Sequence, residues 1–235
     1  MGYAGITIPE GNVVKITANG VVLWEKVIGR LPKEYQEVEW IKAPDTVGAY
    51  INLGFAFDTK AKLYISQFIK TVEVNTQYGY LFGASENSGA KRCMITSPYV
   101  SNGGATLYGS TGTSYLSNTV SIKQNAINEF ECVLQKGKLY FSNITTGQNF
   151  THTTQSEVTM TSNLYLFAQN YNDSPRFGYN RTIKAFQYYD KTDTLICDLV
   201  PCYRKSDGVI GMYDIVRKTF LTNAGTGSFT KGADV

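Results

Sequence analysis

The sequence predicts an all-β domain built from antiparallel strands. Short apolar and aromatic segments alternate with clusters of Asn, Asp, Gly, Ser and Lys, which is the pattern of strands separated by turns. In the last third of the chain these segments cover residues 164–168, 183–189, 195–200 and 209–213. Helix is expected to be scarce, because no window repeats apolar residues every 3.6 positions between helix caps.

Length and composition limit the function classes. The 235 residues could form one large sandwich or two modest domains. A hydrophobic share of 43% is foldable, and the 17 Tyr and 12 Phe suit sheets and ligand-facing surfaces. The net charge of +3 is too small to indicate nucleic acid or an anionic membrane as a partner. No apolar run approaches the roughly 18 residues of a membrane span.

The N-terminus and the cysteines carry no targeting or metal signal. Met1 to Gly5 contain neither a basic region nor an apolar stretch, so no signal peptide is expected. Zinc ligands usually come in closely spaced pairs, whereas the cysteines here are far apart, so reduced core thiols are expected. A bridge between Cys197 and Cys202 stays open at this level. The residues that could bind zinc are the four cysteines, Cys93, Cys132, Cys197 and Cys202, and the single histidine, His152.

The clearest local prediction is a β-hairpin over residues 13–26. Asn19-Gly20 is the preferred pair for a two-residue type I′ turn. Folding about this turn would place Ile16 opposite Leu23 and Lys15 opposite Trp24.

The apolar face of this hairpin must dock, because an isolated two-stranded hairpin is marginally stable in water. The rest of the chain is the first candidate surface, and another subunit is the second. The side chains assigned to attachment are Val14, Ile16, Leu23 and Trp24. Gly29 and Pro32 then interrupt the pattern, which divides the chain into an N-terminal hairpin module, residues 1–28, and a sandwich domain, residues 30–235.

Further strands are predicted at residues 35–40, 50–57, 62–74 and 79–84. A second hairpin is expected over residues 130–141, with its turn at Lys136-Gly137. Residues 93–128 differ in composition from these predicted strands and from the hairpin. They hold a single charged side chain, Lys123, and are rich in Ser, Thr, Asn and Gly.

Several motifs follow one another along residues 31–232. They include Leu31-Pro32-x-x-Tyr35-x-x-Val38-Glu39-Trp40-Ile41, Leu164-Tyr165-Leu166-Phe167-Ala168, Ile183-x-x-Phe186-x-x-Tyr189-Asp190, Gly211-x-Tyr213-Asp214 and Asn223-Ala224-Gly225-x-Gly227-x-Phe229. In their order and spacing they resemble the laminin-G-like or concanavalin-like sandwich modules of phage tail and surface proteins. The resemblance implies an antiparallel jelly-roll β-sandwich and, because the motifs look structural, no catalytic residue. The N-terminal hairpin resembles the short attachment pieces of phage structural proteins.

The resemblance also implies a biological setting. The chain would be a tail, fibre or head appendage, located in the virion or outside the cell after lysis. Its partners would be other virion subunits, further copies of itself and a host-surface polysaccharide. Two alternatives stay open: a bacterial surface carbohydrate-binding or adhesion module, and a glycoside hydrolase.

Two regions combine the residue types of a sugar site, which needs an aromatic ring for the pyranose and Asn, Asp or Arg for its hydroxyls. One is the tyrosine-dotted segment 99–115, and the other is a predicted loop around residues 170–176. The candidate ligand-binding residues are Tyr99, Tyr108, Tyr115, Asn170, Tyr171, Asn172, Asp173 and Arg176. The alternative is that Tyr and Asn are simply abundant in this chain. No cofactor is expected, and calcium is the one ion that the oxygens of this loop would suit.

The acidic residues do not form a catalytic pattern. Glu37 and Glu39 would share one strand face, but a glycosidase of this fold would carry Glu-x-Asp-x-x-Glu, and the aspartate and third acid are absent. A solvated strand face is therefore expected, and the chain is predicted not to be an enzyme. The other acids fall in predicted turns, where Asp commonly caps its own backbone; they are Asp190, Asp193, Asp207 and Asp214.

Overall fold

The computed structural model contains only strands and turns in the part of the chain that it describes. The described residues are 6–7, 13–18, 21–27, 30–44, 48–58, 62–70, 80–86, 91–96, 99–101, 104–111, 116–121, 123, 126–135, 138–153, 159–176 and 181–235. The all-β prediction is confirmed. No helix in these ranges could cross a membrane.

The N-terminal strands form a small sheet of their own. They are β1 (Ile6–Thr7), β2 (Val13–Ala18) and β3 (Val21–Val27), in the order β1-β2-β3. The predicted pairing holds next to the turn, where Thr17 faces Val22. It is wrong beyond the turn, because a β-bulge after Thr17 shifts the register by one residue. Ile16 therefore faces Trp24 instead of Leu23, and Lys15 faces Glu25 instead of Trp24.

The first sandwich sheet has nine strands. They are β6 (Ile51–Asp58), β8 (Tyr80–Glu86), β9 (Lys91–Thr96), β10 (Tyr99–Ser101), β11 (Gly104–Thr111), β12 (Leu116–Ser121), β16 (Thr159–Leu166), β17 (Gln169–Tyr171) and β18 (Ser174–Arg176). The main path runs β10-β11-β9-β8-β16-β6, while β12 pairs with β11 and the β17–β18 hairpin pairs with β8. The β17–β8 pairing is parallel, whereas the other described pairings are antiparallel.

The second sandwich sheet has eleven strands. They are β4 (Tyr35–Glu37), β5 (Ile41–Lys42), β7 (Lys62–Lys70), β13 (Ile127–Gln135), β14 (Lys138–Asn143), β15 (Gln148–Thr153), β19 (Thr182–Tyr189), β20 (Leu195–Arg204), β21 (Ile210–Asp214), β22 (Thr219–Thr222) and β23 (Thr230–Lys231). The order is β15-β14-β13-β7-β19-β20-β21-β22, with β4, β5 and β23 beside this path. Gln135 faces Lys138, as expected for the predicted two-residue turn between β13 and β14.

One core fills the space between the two sheets. Phe82 of the nine-stranded sheet meets Phe186 of the eleven-stranded sheet edge to face, with ring centroids 6.3 Å apart. Phe57 and Tyr188 form a second such contact at 6.3 Å. All four residues are buried. Alternating burial along β6 and β7 shows that each strand gives one face to this core.

The cysteines behave as predicted from sequence. All four are free and buried. Cys197 and Cys202 both belong to β20, an odd number of residues apart, so their side chains lie on opposite faces of the sheet and no bridge joins them. Burial raises the pKa of the Cys202 thiol to about 12, which keeps it protonated at neutral pH.

The predicted turn caps are confirmed at three of the four aspartates. The Asp190 carboxylate accepts from the backbone N–H groups of Thr192 and Thr194 at 2.8 and 3.0 Å. Asp207 accepts from the Val209 N–H at 3.1 Å. Asp214 caps the β21–β22 turn by accepting from the Val216 N–H. Asp193, the fourth aspartate, takes a positive φ of 62° in the β19–β20 turn.

An ion pair between a buried carboxylate and a partly exposed guanidinium links the two sheets. Asp214 is fully buried, and its Oδ1 accepts from the N–H groups of Val216 and Arg217 at 3.0 and 3.2 Å. The Arg217 guanidinium donates to Asp214 Oδ2 and, from Nη1, to the carbonyl of Leu53 on β6 at 2.6 Å. Since β6 belongs to the other sheet, Arg217 ties the two layers together.

Candidate functional site

The candidate site lies where two neighbouring strands of the nine-stranded sheet separate. β16 pairs with β8 only at Tyr165–Gly83 and Leu166–Phe82. The chain then turns at Phe167, which has φ 66° and donates its N–H to Leu81 O at 2.7 Å. The predicted strand over 164–168 therefore ends at Leu166. The next segment, β17, pairs with the remaining part of β8, so the β17–β18 hairpin occupies the gap.

The predicted loop at 170–176 is a tight hairpin, which corrects the sequence prediction. Tyr171 pairs with Ser174, and the two turn residues, Asn172 and Asp173, have φ values of 47° and 62°. Positive φ at both central positions is the signature of a type I′ turn, and Asn and Asp tolerate it better than most residues. The hairpin spreads its side chains over two faces instead of wrapping them around an ion.

A stacked pair projects from one face of this hairpin. The Arg176 guanidinium lies 3.4 Å from the centroid of the Tyr171 ring. The two residues are diagonal neighbours across β17 and β18, a spacing that long side chains can bridge. Tyr171 is half-buried and Arg176 is exposed. The contact orients the guanidinium and covers one face of the ring.

Asn170 lies on the opposite side of the hairpin and is fully buried. Its Nδ2 donates to the carbonyl of Asn163 on β16 at 2.9 Å and lies 3.5 Å from Asp173 Oδ1. Its Oδ1 is a buried acceptor with no hydrogen-bond partner among the described residues. Asn170 is one of the predicted ligand-binding residues; its side chain is buried and bonded to Asn163, so it lies behind the exposed groups of the hairpin, and its predicted role stays a prediction.

Two tyrosines that sequence reasoning missed complete the site. Tyr50 and Tyr165 stack with centroids 4.6 Å apart and planes 28° from parallel. Tyr165 is buried, and its burial raises the pKa of its hydroxyl, with smaller contributions from Tyr50 and the Asp173 carboxylate. No local pattern could have revealed Tyr50, because it joins the site through tertiary contacts.

The C-terminal motif at 223–229 fixes Tyr50. The Tyr50 N–H donates to Asn223 Oδ1 at 3.0 Å, and its carbonyl accepts from the Ala224 N–H at 2.8 Å. Asn223 Nδ2 donates to the carbonyl of Gly227. Tyr50 is thus clamped from both sides of its backbone.

Glu86, the last residue of β8, bridges β8 and β16 where the two strands have separated. It is buried, and its Oε1 accepts from the N–H groups of Thr161 and Ser162 at 2.6 and 2.5 Å and from the Thr161 hydroxyl at 3.0 Å. Burial alone would raise the pKa of Glu86, but the hydrogen bonds outweigh it and lower the pKa. The carboxylate thus replaces the lost strand pairing.

Glu86→Gln is expected to reduce the free energy of unfolding by about 1 kcal/mol at pH 7, because hydrogen bonds to a charged acceptor are stronger than those to an amide. The lowered pKa means that the stabilisation is complete above the unfolded value of 4.5 and is lost as pH falls through the folded value. Urea unfolding at pH 7, 5 and 3 should therefore show a difference that shrinks at low pH. Glu34→Gln, at an exposed position, is the control. A difference that does not change with pH would contradict this role.

The described backbone of the second predicted region lies on other strands of the same sheet. Tyr99 lies on β10 and Tyr108 on β11, two and one strands beyond β9 in the same sheet. Their side chains, and the whole of Tyr115, fall outside the described part of the chain. The same holds for the side chains of the attachment residues Val14, Ile16, Leu23 and Trp24, and their predicted roles stay predictions.

The carboxylates of Glu37 and Glu39 have separate partners. Glu37 forms an ion pair with Arg30 at 2.8 Å, and Glu39 Oε2 accepts from the Ala233 N–H at 3.4 Å. Among the described residues no three His, Cys, Asp or Glu side chains cluster as a metal site would require.

A cleft of about 330 Å³ lies at one end of the sandwich, between the β20–β21 turn and the 223–229 loop. Asp207 on its rim is bound by Arg204, with an Nη2–Oδ2 distance of 2.6 Å. Asn223 is occupied in clamping Tyr50. Two polar groups of the cleft, Asp207 and Asn223, are therefore engaged by other parts of the chain.

Comparison with known proteins returns similarity of structure only. No protein-family model and no curated protein sequence matches the chain. A heptameric SAP-like pentraxin from Limulus polyphemus is similar in structure, with 12% identity, coverage of 84% of this chain and 95% of that chain, and a TM-score of 0.47. Galectin-Ib from Xenopus laevis is 13% identical, and the match covers 61% of this chain and 100% of the galectin with a TM-score of 0.36. A family 7 alginate lyase in complex with product is 8% identical, and the match covers 76% of this chain and 71% of the lyase with a TM-score of 0.26. The fold assignment rests on the two packed sheets described above.

Proposed function

We propose that the chain is a glycan-binding β-sandwich module whose contact site is the β17–β18 hairpin. The observation that carries the proposal is the Tyr171–Arg176 stack beside the exposed Asp173 carboxylate on a rigid type I′ turn. A sugar presents hydroxyl groups that both donate and accept, together with an apolar ring face. The hairpin supplies a donor in Arg176, an acceptor in Asp173 and an aromatic ring in Tyr171.

Each group has a distinct role in this proposal. The Arg176 guanidinium, oriented by Tyr171, donates to neighbouring sugar hydroxyls, while the Asp173 carboxylate accepts from them. The exposed amide of Asn172 can do both. Tyr50 is half-buried and stacks on the buried Tyr165, so in this proposal its ring alone offers an aromatic edge to the pyranose. Because the turn is tight and Asn170 anchors it to β16, little order has to be created on binding.

We further propose that the module belongs to a phage virion appendage and assembles with other virion subunits and with copies of itself. The support is the resemblance of residues 31–232 to phage sandwich modules and of the hairpin to phage attachment pieces. Antibodies against the chain should label intact virions, and light scattering of the purified protein should give a mass above one chain. A protein absent from virions would overturn this assignment and leave the bacterial adhesion module.

The double variant Asp173→Asn with Arg176→Ala is expected to weaken adsorption to host cell-wall polysaccharide at least tenfold. It removes the charged acceptor and the oriented donors together, and charge-assisted hydrogen bonds contribute about 1.5–3 kcal/mol each. Pull-down on purified wall polysaccharide measures the effect.

Arg204→Ala is the matched control, since Arg204 also lies over an aromatic ring, Phe220, with its guanidinium 5.6 Å from the ring centroid. It should adsorb like the unmodified protein. Full adsorption by the double variant would remove the hairpin as the contact site. An unmodified protein that adsorbs to no host polysaccharide would overturn glycan binding altogether.

A further inference from the structure

The outward face of the eleven-stranded sheet is an organised aromatic and polar surface. Burial alternates along β7 and along the part of β19 from Phe186 to Tyr189. In β7, Leu63 and Ile65 are buried, whereas Lys62, Tyr64 and Ser66 are half-exposed. The same alternation runs along β13 and β14. The face turned away from the core is therefore defined by every second residue of each strand.

Strand register aligns these residues in a row across five strands. Tyr140 of β14 faces Val133 of β13, Val133 faces Tyr64 of β7, Tyr64 faces Gln187 of β19, and Gln187 faces Asp198 of β20. Tyr140 is 39% exposed, and the other four are half-buried. Neighbouring strands are about 4.8 Å apart, so Tyr140 and Tyr64 lie about 10 Å apart along the row.

Hydrogen bonds fix the polar groups around this row. The Tyr64 hydroxyl donates to Glu131 Oε1 at 2.7 Å, and the Tyr189 hydroxyl donates to Gln187 Oε1 at 3.2 Å. The Lys62 ammonium lies 5.1 Å from the centroid of the Tyr189 ring. These contacts hold the aromatic rings and the carboxylate in set positions before any ligand arrives.

The chemistry of the face selects one kind of occupant. Basic and acidic side chains alternate, as in the Lys184–Glu129 ion pair at 3.0 Å, so the face offers no excess of one charge to an anionic polymer or membrane. Among the described side chains of β7, β13, β14 and β19, Ile127 is the one large aliphatic group that is exposed, whereas the centre of a protein–protein interface is depleted in charge and rich in apolar contacts. Half-exposed tyrosines between carboxylates, amides and ammonium groups suit a neutral, polyhydroxylated chain.

We propose that this row, from Tyr140 through Tyr64 and Gln187 to Asp198, is a second glycan-contact surface for an extended neutral saccharide lying across the strands. The inference rests on the proposed glycan-binding function. The hairpin belongs to the nine-stranded sheet and the row to the outward face of the other sheet, so the two surfaces hold different saccharide units. The module is then bivalent, and a polymer that engages both surfaces is held by avidity without any further contact.

The number of binding equivalents per chain tests this proposal. The probe is the short-oligosaccharide fraction of hydrolysed host wall polysaccharide, titrated calorimetrically. The unmodified protein should bind two equivalents. The row variant, Tyr140→Ala with Gln187→Ala, and the hairpin variant, Asp173→Asn with Arg176→Ala, should each bind one. Val216→Ala, at a 41%-exposed position in the β21–β22 turn, is the control and should bind two. Equal melting temperatures show that each variant is folded.

Four outcomes separate this proposal from the function on which it rests. In the first outcome, the unmodified protein binds one equivalent of oligosaccharide, the hairpin variant binds none and the row variant still binds one. This result overturns the second surface and keeps the proposed function. One equivalent lost only in the row variant supports the row and removes the hairpin as a contact site. Two equivalents in a folded row variant overturn the second surface. No binding by the unmodified protein overturns both.

Discussion

Arg217→Ala is expected to lower the free energy of unfolding by about 3 kcal/mol, the lower end of the cost of removing one partner of a buried ion pair, because Asp214 is fully buried whereas the Arg217 side chain is 32% exposed. Asp214 is fully buried, and Arg217 supplies its charge partner. The guanidinium also donates to Leu53 O in the other sheet. The substitution therefore leaves a buried carboxylate without a counter-charge and removes a link between the sheets. Urea unfolding at pH 7 measures the loss.

Arg204→Ala is the matched control for this prediction. Arg204 and Asp207 are also three residues apart and form an ion pair at 2.6 Å, but both side chains are about 40% exposed. Exposed pairs contribute little to stability, so the control should lose far less than Arg217→Ala. Equal losses in the two variants would show that burial of Asp214 does not govern the effect.

Gly225→Ala is expected to cost about 3 kcal/mol of stability and to weaken glycan binding at the same time. A Cβ at this position would lie 1.8 Å from the carbonyl oxygen of Gly48 and 3.2 Å from the Tyr50 ring. Both contacts are too close, and overpacking of this kind typically costs about 1–3 kcal/mol. The 223–229 loop must then move away from Gly48, which breaks the Gly227 N–H bond to Gly48 O and loosens the clamp on Tyr50.

Thermal unfolding and adsorption to wall polysaccharide check the two effects together. Gly48→Ala is the comparison, since its Cβ would lie 3.1 Å from the Thr226 hydroxyl and 3.3 Å from the Gly227 backbone nitrogen, much looser contacts than the 1.8 Å at Gly225. That variant should remain close to the unmodified protein in both measurements. If Gly225→Ala unfolds earlier but binds normally when folded, Tyr50 does not belong to the contact site.

Local sequence patterns predicted most of the strands. The segments at 183–189, 195–200 and 50–57 became β19, the first part of β20 and β6. Period-two alternation and flanking turn residues are properties of a short window, so they can be recognised without knowing which strands pair. The free thiols and the turn caps at Asp190 and Asp207 followed from local chemistry in the same way.

Register and strand separation could not be predicted. The bulge after Thr17 shifted the N-terminal pairing, because a turn fixes register only until an extra residue is inserted. The hairpin at Asn172-Asp173 was predicted as a loop, because its strands are three residues long and one of them pairs in parallel with β8. A strand that short carries too few residues to show alternation.

The candidate site shows the same division. Sequence alone identified Tyr171, Asp173 and Arg176 as residue types that suit sugar, since their chemistry is local. Only the tertiary structure buried Asn170, stacked Arg176 on Tyr171 and brought Tyr50 against Tyr165. The first two contacts depend on the hairpin that forms where β16 leaves β8, and the Tyr50–Tyr165 contact joins segments that are far apart in the chain, with the 223–229 loop closing over Gly48. The sequence by itself determined an all-β chain with buried thiols and polar, aromatic turns, whereas packing of the two sheets decided which of its tyrosines meet.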